Sequence, residues 1–136
     1  GCKINQSPEF KSISNLSITD FSLSNIKIAS NANFVNPNDI GITLKKVELS
    51  VFVNGKPIGS INQVKSTKIG ARADFAIPLQ INVVQSNLFN AIGGISGAFG
   101  ALFGKEIDIE YRGKITVSKF WIPISLPIKY NMKYKL

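Results

Sequence analysis

The sequence predicts an all-β protein, a two-layer antiparallel sandwich of six or seven strands with one added helix over about residues 86–103. Three observations carry that expectation. Apolar residues recur at every second position over long stretches, the mark of strands with one buried and one wet face. Asn, Gly and Pro punctuate these runs at intervals suited to strands and turns. A chain of 136 residues, 44% of them hydrophobic, buries about two-thirds of its unfolded surface, so a core can form without metal or disulfide.

Taken in order, residues 1–8 read as a tether and residues 9–136 as one sandwich domain. Between Phe21 and Asn36, the residues Ile26, Ile28, Ala32 and Phe34 fall in register on one face. Pro37 has no N–H to donate, so the ladder halts after Phe34 and Val35. Val47, Leu49, Val51 and Val53 share the inward face of the next strand. Asn54-Gly55 follows, the strongest short-range hairpin signal, because both residues accept positive φ. Ala73, Phe75, Ile77, Leu79, Ile81 and Val83 alternate in turn.

Residues 85–104 then change period. Leu88, Ile92, Ile95, Phe99 and Leu102 are spaced 4, 3, 4, 3, which places them on one face of a helix. Ser86 is the expected cap and Gly104 the expected stop. Gly93, Gly97, Gly100 and Gly104 lie about 150° round the wheel from the apolar stripe. Residues 75–104 carry no charge, yet the helical part is only about 18 residues long and has polar gaps, short of a membrane span.

Alternation resumes at 106–118, with Ile107, Ile109, Tyr111, Ile115 and Val117 inward. The last stretch, KFWIPISLPIKYNMKYKL, puts Phe120, Ile122, Ile124, Leu126, Ile128 and Tyr130 on one face. Pro123 and Pro127 on the other face predict an edge strand or a break.

Composition narrows the chemistry. With no histidine and one cysteine, neither a Ser-His-Asp or Cys-His centre nor a usual zinc site can be built, and no cofactor is expected. Asp108 and Glu110 stand about 7 Å apart on one strand face, a spacing open to two-carboxylate sugar hydrolysis; beside Arg112 and Lys114 they read instead as a solvated acidic face. The net charge of +8 comes from fourteen lysines and only two arginines, Arg72 and Arg112, against eight acids. Nucleic-acid readers favour arginine's bidentate fork, so no nucleic-acid partner is expected. Lysine-rich charge suits solubility or an anionic lipid surface. Lys119, Lys129, Lys133 and Lys135 share one parity of the last segment and would form a membrane-facing basic stripe if that strand were unbroken.

The chain opens Gly1-Cys2-Lys3. A bacterial lipoprotein signal ends in a small residue before a cysteine that takes the lipid, so Cys2 is the expected attachment point. Gly1 is either the end of such a signal or a tag remnant. Acyl chains on Cys2 would hold the domain at a membrane without a transmembrane helix.

Asn36-Pro37-Asn38, Ile42 and Leu44, Val51 to Gly55 and Ile58-Gly59, followed by KIGARADFAIPLQI, resemble the second group of late embryogenesis abundant proteins, also called the water-stress and hypersensitive-response domain. The match covers about residues 26–84; YRGKITV at 111–117 resembles the family's penultimate strand, and the glycine-rich helix sits where members carry one. The resemblance implies a sandwich of the immunoglobulin or fibronectin type III kind, with Asn36, Pro37, Asn38, Asn54, Gly55 and Gly59 serving turn chemistry and no active site. It also implies a stress-related, desiccation-associated role, and some membrane-associated relatives have been proposed to hold lipid along a groove. With Cys2, the expectation is a non-enzymatic, membrane-tethered lipoprotein of a bacterial cell envelope, on its periplasmic or surface side. Two alternatives stand beside it. One is a carrier of lipid or another hydrophobic ligand, with a groove between helix and sheet; the other is an adhesion or assembly subunit using an exposed strand edge.

Overall fold

The computed structural model describes residues 8–20, 24–93 and 104–136. Seven strands and one helix follow in order: β1 Glu9–Thr19, β2 Asn25–Val35, β3 Ile42–Val53, β4 Lys56–Ile69, β5 Asp74–Val84, α1 Gln85–Ile92, β6 Glu106–Lys119 and β7 Ile122–Lys135. One sheet has the order β1-β2-β5 and the other β4-β3-β6-β7, and every pairing is antiparallel. The chain is therefore an all-β sandwich with one added helix, as its alternation requires.

Inward residues of both sheets meet in one core, where Ile26, Phe34, Val47, Val51, Ile109 and Tyr111 are almost fully buried. Each such side chain contributes roughly 1.5–3 kcal/mol by leaving water. A buried hydrogen bond of 3.0 Å between the Tyr111 hydroxyl on β6 and Ser30 Oγ on β2 ties the sheets together. Aromatic rings bridge one side: Phe75 stacks on Phe34 at 5.2 Å, and Phe10 meets Phe34 and Tyr130 edge-on at 5.3 and 5.7 Å.

Gly113 lets the central strands β3 and β6 approach. A Cβ there would lie 2.0 Å from the Glu48 carbonyl oxygen, at a φ of +154° that side chains rarely adopt. β3 carries a bulge at Lys45, because Leu44 and Lys46 pair with the adjacent residues Val117 and Thr116. The extra residue shifts the phase of the strand, so that Ile42 and Leu44 point inward before it and Val47 and Leu49 after it.

The helix is closed by Gly93 in the left-handed conformation, whose N–H bonds the carbonyls of Phe89 and Asn90. It buries Leu88, Phe89, Ala91 and Ile92. Ser86 is not its cap: the strand runs straight into the helix through Val84, with no side-chain cap bond. The rest of the expected helix, with Ile95, Phe99 and Leu102, lies outside the described residues. No described helix is long and apolar enough to cross a membrane.

The final segment also departs from expectation. Phe120 does not join the inward face but sits in the turn where the chain reverses; Ile122, paired with the inward Lys119, keeps the inward side of β7, yet it is exposed at the open end of the sandwich. β7 is an edge strand, which accommodates Pro123 and Pro127 at no cost to a central ladder.

Candidate functional site

The antiparallel pairings sort the turns between two poles. At the first pole lie the start of β1, the β2–β3 and β4–β5 connections and the β6–β7 hairpin; the register fixes this, with Glu9 opposite Val35, Ile42 opposite Ile69 and Thr43 opposite Ser118. At the second lie the β3–β4 hairpin and α1.

Asn36 and Asn38 are buried at the first pole. Pro37 ends the β ladder, and the Asn36 side chain replaces it with four bonds. Its Nδ2 donates to the carbonyls of Ile40 (3.1 Å) and Gly70 (2.9 Å); its Oδ1 accepts from the backbone N–H (3.1 Å) and Nδ2 (2.8 Å) of Asn38. Asn38 Oδ1 in turn accepts from Lys119 Nζ at 3.0 Å. Arg72 closes the plug by donating its backbone N–H to the Asn38 carbonyl and pairing its guanidinium with Asp39. Asparagine suits this position because its one short side chain offers two N–H donors and an oxygen with two lone pairs, enough for all four bonds.

Lys119 is thereby removed from the expected stripe. It points inward on β6, is only 6% exposed, and stands apart from Lys129, Lys133 and Lys135 on the outer face of β7. That outer face is itself balanced by acid. Lys133 contacts Asp108 at 3.1 Å and Glu106 at 3.7 Å, and the Asp108 bond pushes its ammonium pKa upward. Arg112 bonds Glu110 at 2.7 Å and holds that carboxyl below its ordinary value. A general acid needs the opposite of the Glu110 shift, and both Asp108 and Glu110 are engaged in ion pairs.

Directly after Lys119, the first pole carries an apolar tip. Phe120 and Trp121 form a two-residue turn with φ of 52° and 69°. Phe120 is 64%, Trp121 97% and Ile122 63% exposed. Beside the tip is a shallow hollow lined by Gly41, Thr43, Lys45 and Ser118. Sequence reasoning did not anticipate this turn, since Phe-Trp is not turn chemistry. A signal was present nonetheless: odd positions face inward up to Val117 and even positions from Ile124 onward, and such a phase change requires a break.

A groove of about 380 Å³ opens between β4 and β5, lined by Leu44, Ile69, Phe75 and Ile77 with Lys68 and Asp74 among its polar residues. It is the seam between the edges of the two sheets. Toward the second pole the seam is shut: a Cβ on Gly59 would stand 2.6 Å from Ile81 Cδ1, and Gln63 Nε2 bonds the Pro78 carbonyl. The groove expected between helix and sheet involves the glycine-rich segment 94–103, which lies outside the described residues.

At the second pole Asn54 and Gly55 make a turn with φ of 50° and 81°. Asn54 exchanges bonds with β6 through Asp108 and donates to the Ala91 carbonyl at 3.3 Å, while Lys56 reaches the Asn90 carbonyl at 3.4 Å. Carbonyls left over at the helix end are satisfied in this way. Cys2 lies outside the described residues.

Together these features define a small β-sandwich module in which Asn36-Pro37-Asn38 and Asn54-Gly55 build turns, Gly59 lies within β4 at the closed seam, and an exposed aromatic tip stands at the first pole. The late embryogenesis abundant protein model of the second group matches residues 31–132, and the chain belongs to that family. Two solved structures share the fold. A solution structure from Arabidopsis thaliana has TM-score 0.76 and 18% identity, covering 100% of this chain and 87% of its own. A crystal structure from Archaeoglobus fulgidus has TM-score 0.65 and 11% identity, covering 94% and 98%. The comparison with curated proteins gives no match.

Proposed function

We propose that this chain is a non-enzymatic, membrane-tethered domain with a stress-protective or binding role at a bacterial cell envelope. Membership of the late embryogenesis abundant family supports the protective role. The Gly1-Cys2 start carries the tether reading, and the register sets its orientation: β1 begins at Glu9, opposite Val35 at the first pole, so the segment bearing Cys2 joins the sandwich there. Lipid on Cys2 would hold that pole to the bilayer and leave the second pole free. The test is to express the full precursor in bacteria and follow acyl incorporation and detergent partitioning. Wild type should carry acyl chains and enter the detergent phase, and Cys2→Ser should do neither. An unacylated wild type in the aqueous phase would sink the reading.

The β4–β5 groove favours a second reading, a carrier of a lipid or another hydrophobic ligand. Its apolar walls and its volume suit one acyl chain more than a folded partner. Native mass spectrometry of protein purified from membranes should then find a bound acyl-chain compound that a groove-filling Ala76→Trp variant lacks. Identical spectra from both would count against it.

A further inference from the structure

We propose that the Phe120-Trp121-Ile122 tip is a membrane-inserting element that seats at the headgroup–acyl boundary of an anionic bilayer. The proposal rests on the orientation in the tether reading, with the first pole toward the membrane, but it concerns a different part of the chain.

The tip is built unlike a neutral turn. Two bulky aromatic residues take positive φ, a conformation that Gly, Asn and Asp hold at far lower cost. Their side chains recover little of that cost by packing, because Trp121 is 97% exposed and Phe120 64%. Strain held at an exposed apolar point is the pattern of a functional residue. Trp is the side chain most at home at a membrane interface, with an apolar ring and one N–H for the headgroup layer. A convex two-residue tip also fits a deformable lipid layer better than it fits the flat or concave surface of a folded partner.

Charge points to the sign of that surface. The hollow beside the tip holds Lys45 and no carboxylate. Lys45 is the extra residue of the β3 bulge, exposed, and without an acidic partner among the described residues; bulges commonly re-aim a side chain toward a site. Lys68, opposite Thr43 on β4, is likewise exposed and free of acid partners. On β7, by contrast, Lys133 is paired with Glu106 and Asp108. Position completes the case. From Pro8 back to Cys2 the chain spans at most about 20 Å, so an anchor there and the tip would meet the same bilayer.

Trp121 is the only tryptophan of the chain, so its fluorescence reports on the tip alone. The experiment uses the full chain carrying Cys2→Ser, mixed with phosphatidylcholine vesicles with and without phosphatidylglycerol. Anionic vesicles should blue-shift the emission, and lipids brominated in their acyl chains should quench it. Trp121→Ala should weaken vesicle co-sedimentation about tenfold or more with an unchanged melting curve, and Lys45→Glu should weaken it further. Unshifted emission from co-sedimenting protein overturns the proposal and transfers binding to another face. Absence of co-sedimentation overturns it as well. A blue shift that grows with protein concentration in the absence of vesicles would mean that the tip packs on a second copy, which also overturns it. Because Cys2 is removed throughout, none of these results bears on whether the native chain is acylated, and the two readings can fail separately.

Discussion

The two hairpin tips share a backbone and differ in everything else. Asn54-Gly55 and Phe120-Trp121 are both two-residue turns with positive φ at each position, 50° and 81° against 52° and 69°. At the second pole the residues are those the conformation prefers, and Asn54 is bonded to β6 and to the helix. At the first pole the residues are among those it suits least, and the tip projects into solvent. One tip is chosen by folding. The other is kept despite folding, and what keeps it in place is the polar plug immediately beneath, through Lys119 and Asn38.

That contrast is most severely tested at the plug. Asn36→Ala removes four hydrogen bonds in a fully buried setting and strands their partners, so it should destabilise by about 3–4 kcal/mol. Urea unfolding checks the value; a loss under about 1 kcal/mol would show that water can replace the amide. Asn54→Ala should cost about 2 kcal/mol, because it loses the bonds to Asp108 and Ala91 and leaves a Cβ residue at positive φ. Its chemical-shift changes should be confined to the helix and the second pole.

Much of this frame was legible in the sequence. Alternation in β2, β3, β5 and β6 marked the buried face residue by residue, because water on one side and core on the other act on each position separately. Asn36-Pro37-Asn38 and Asn54-Gly55 marked turns for local reasons of φ and missing donors. What escaped reading depends on contacts between distant segments. Lys119 and Asn38 are 81 residues apart, and no local pattern announces that a lysine will be buried against an amide. The groove, too, exists only because the edges of β4 and β5 close at Gly59 and part near Ile69. The aromatic tip was hidden for a different reason: its residues contradict turn chemistry, and only the change of phase across Lys119 betrayed it.

Exchanging the tips sharpens the comparison further. Phe120→Asn with Trp121→Gly installs at the first pole the dipeptide found at the second. Relief of two strained positions should raise stability by about 1–2 kcal/mol, while binding to anionic vesicles falls to background. A variant that is both less stable and still bound would show that the tip is held by packing and serves the fold. Gain in stability with loss of binding is the signature expected when function sets the residue.

The smallest effect is expected far from both tips, at the bond between sheets. Tyr111→Phe leaves the Ser30 hydroxyl without its partner and should cost about 1 kcal/mol at neutral pH. Burial pushes the Tyr111 phenol above its ordinary value of 10.0, with the Ser30 bond a lesser opposing influence. The folded state therefore keeps its proton at a pH where the unfolded chain releases it. That preference leaves stability intact below about pH 10 and erodes it as the pH rises from the unfolded value through the folded one. Wild type should lose stability on that limb faster than Tyr111→Phe, so the two should converge in the alkaline range, with lysine titration common to both. Parallel curves would mean that Tyr111 ionises without opening the sandwich, and that the hydroxyl, though enclosed between the sheets, is reached by water from one of the seams.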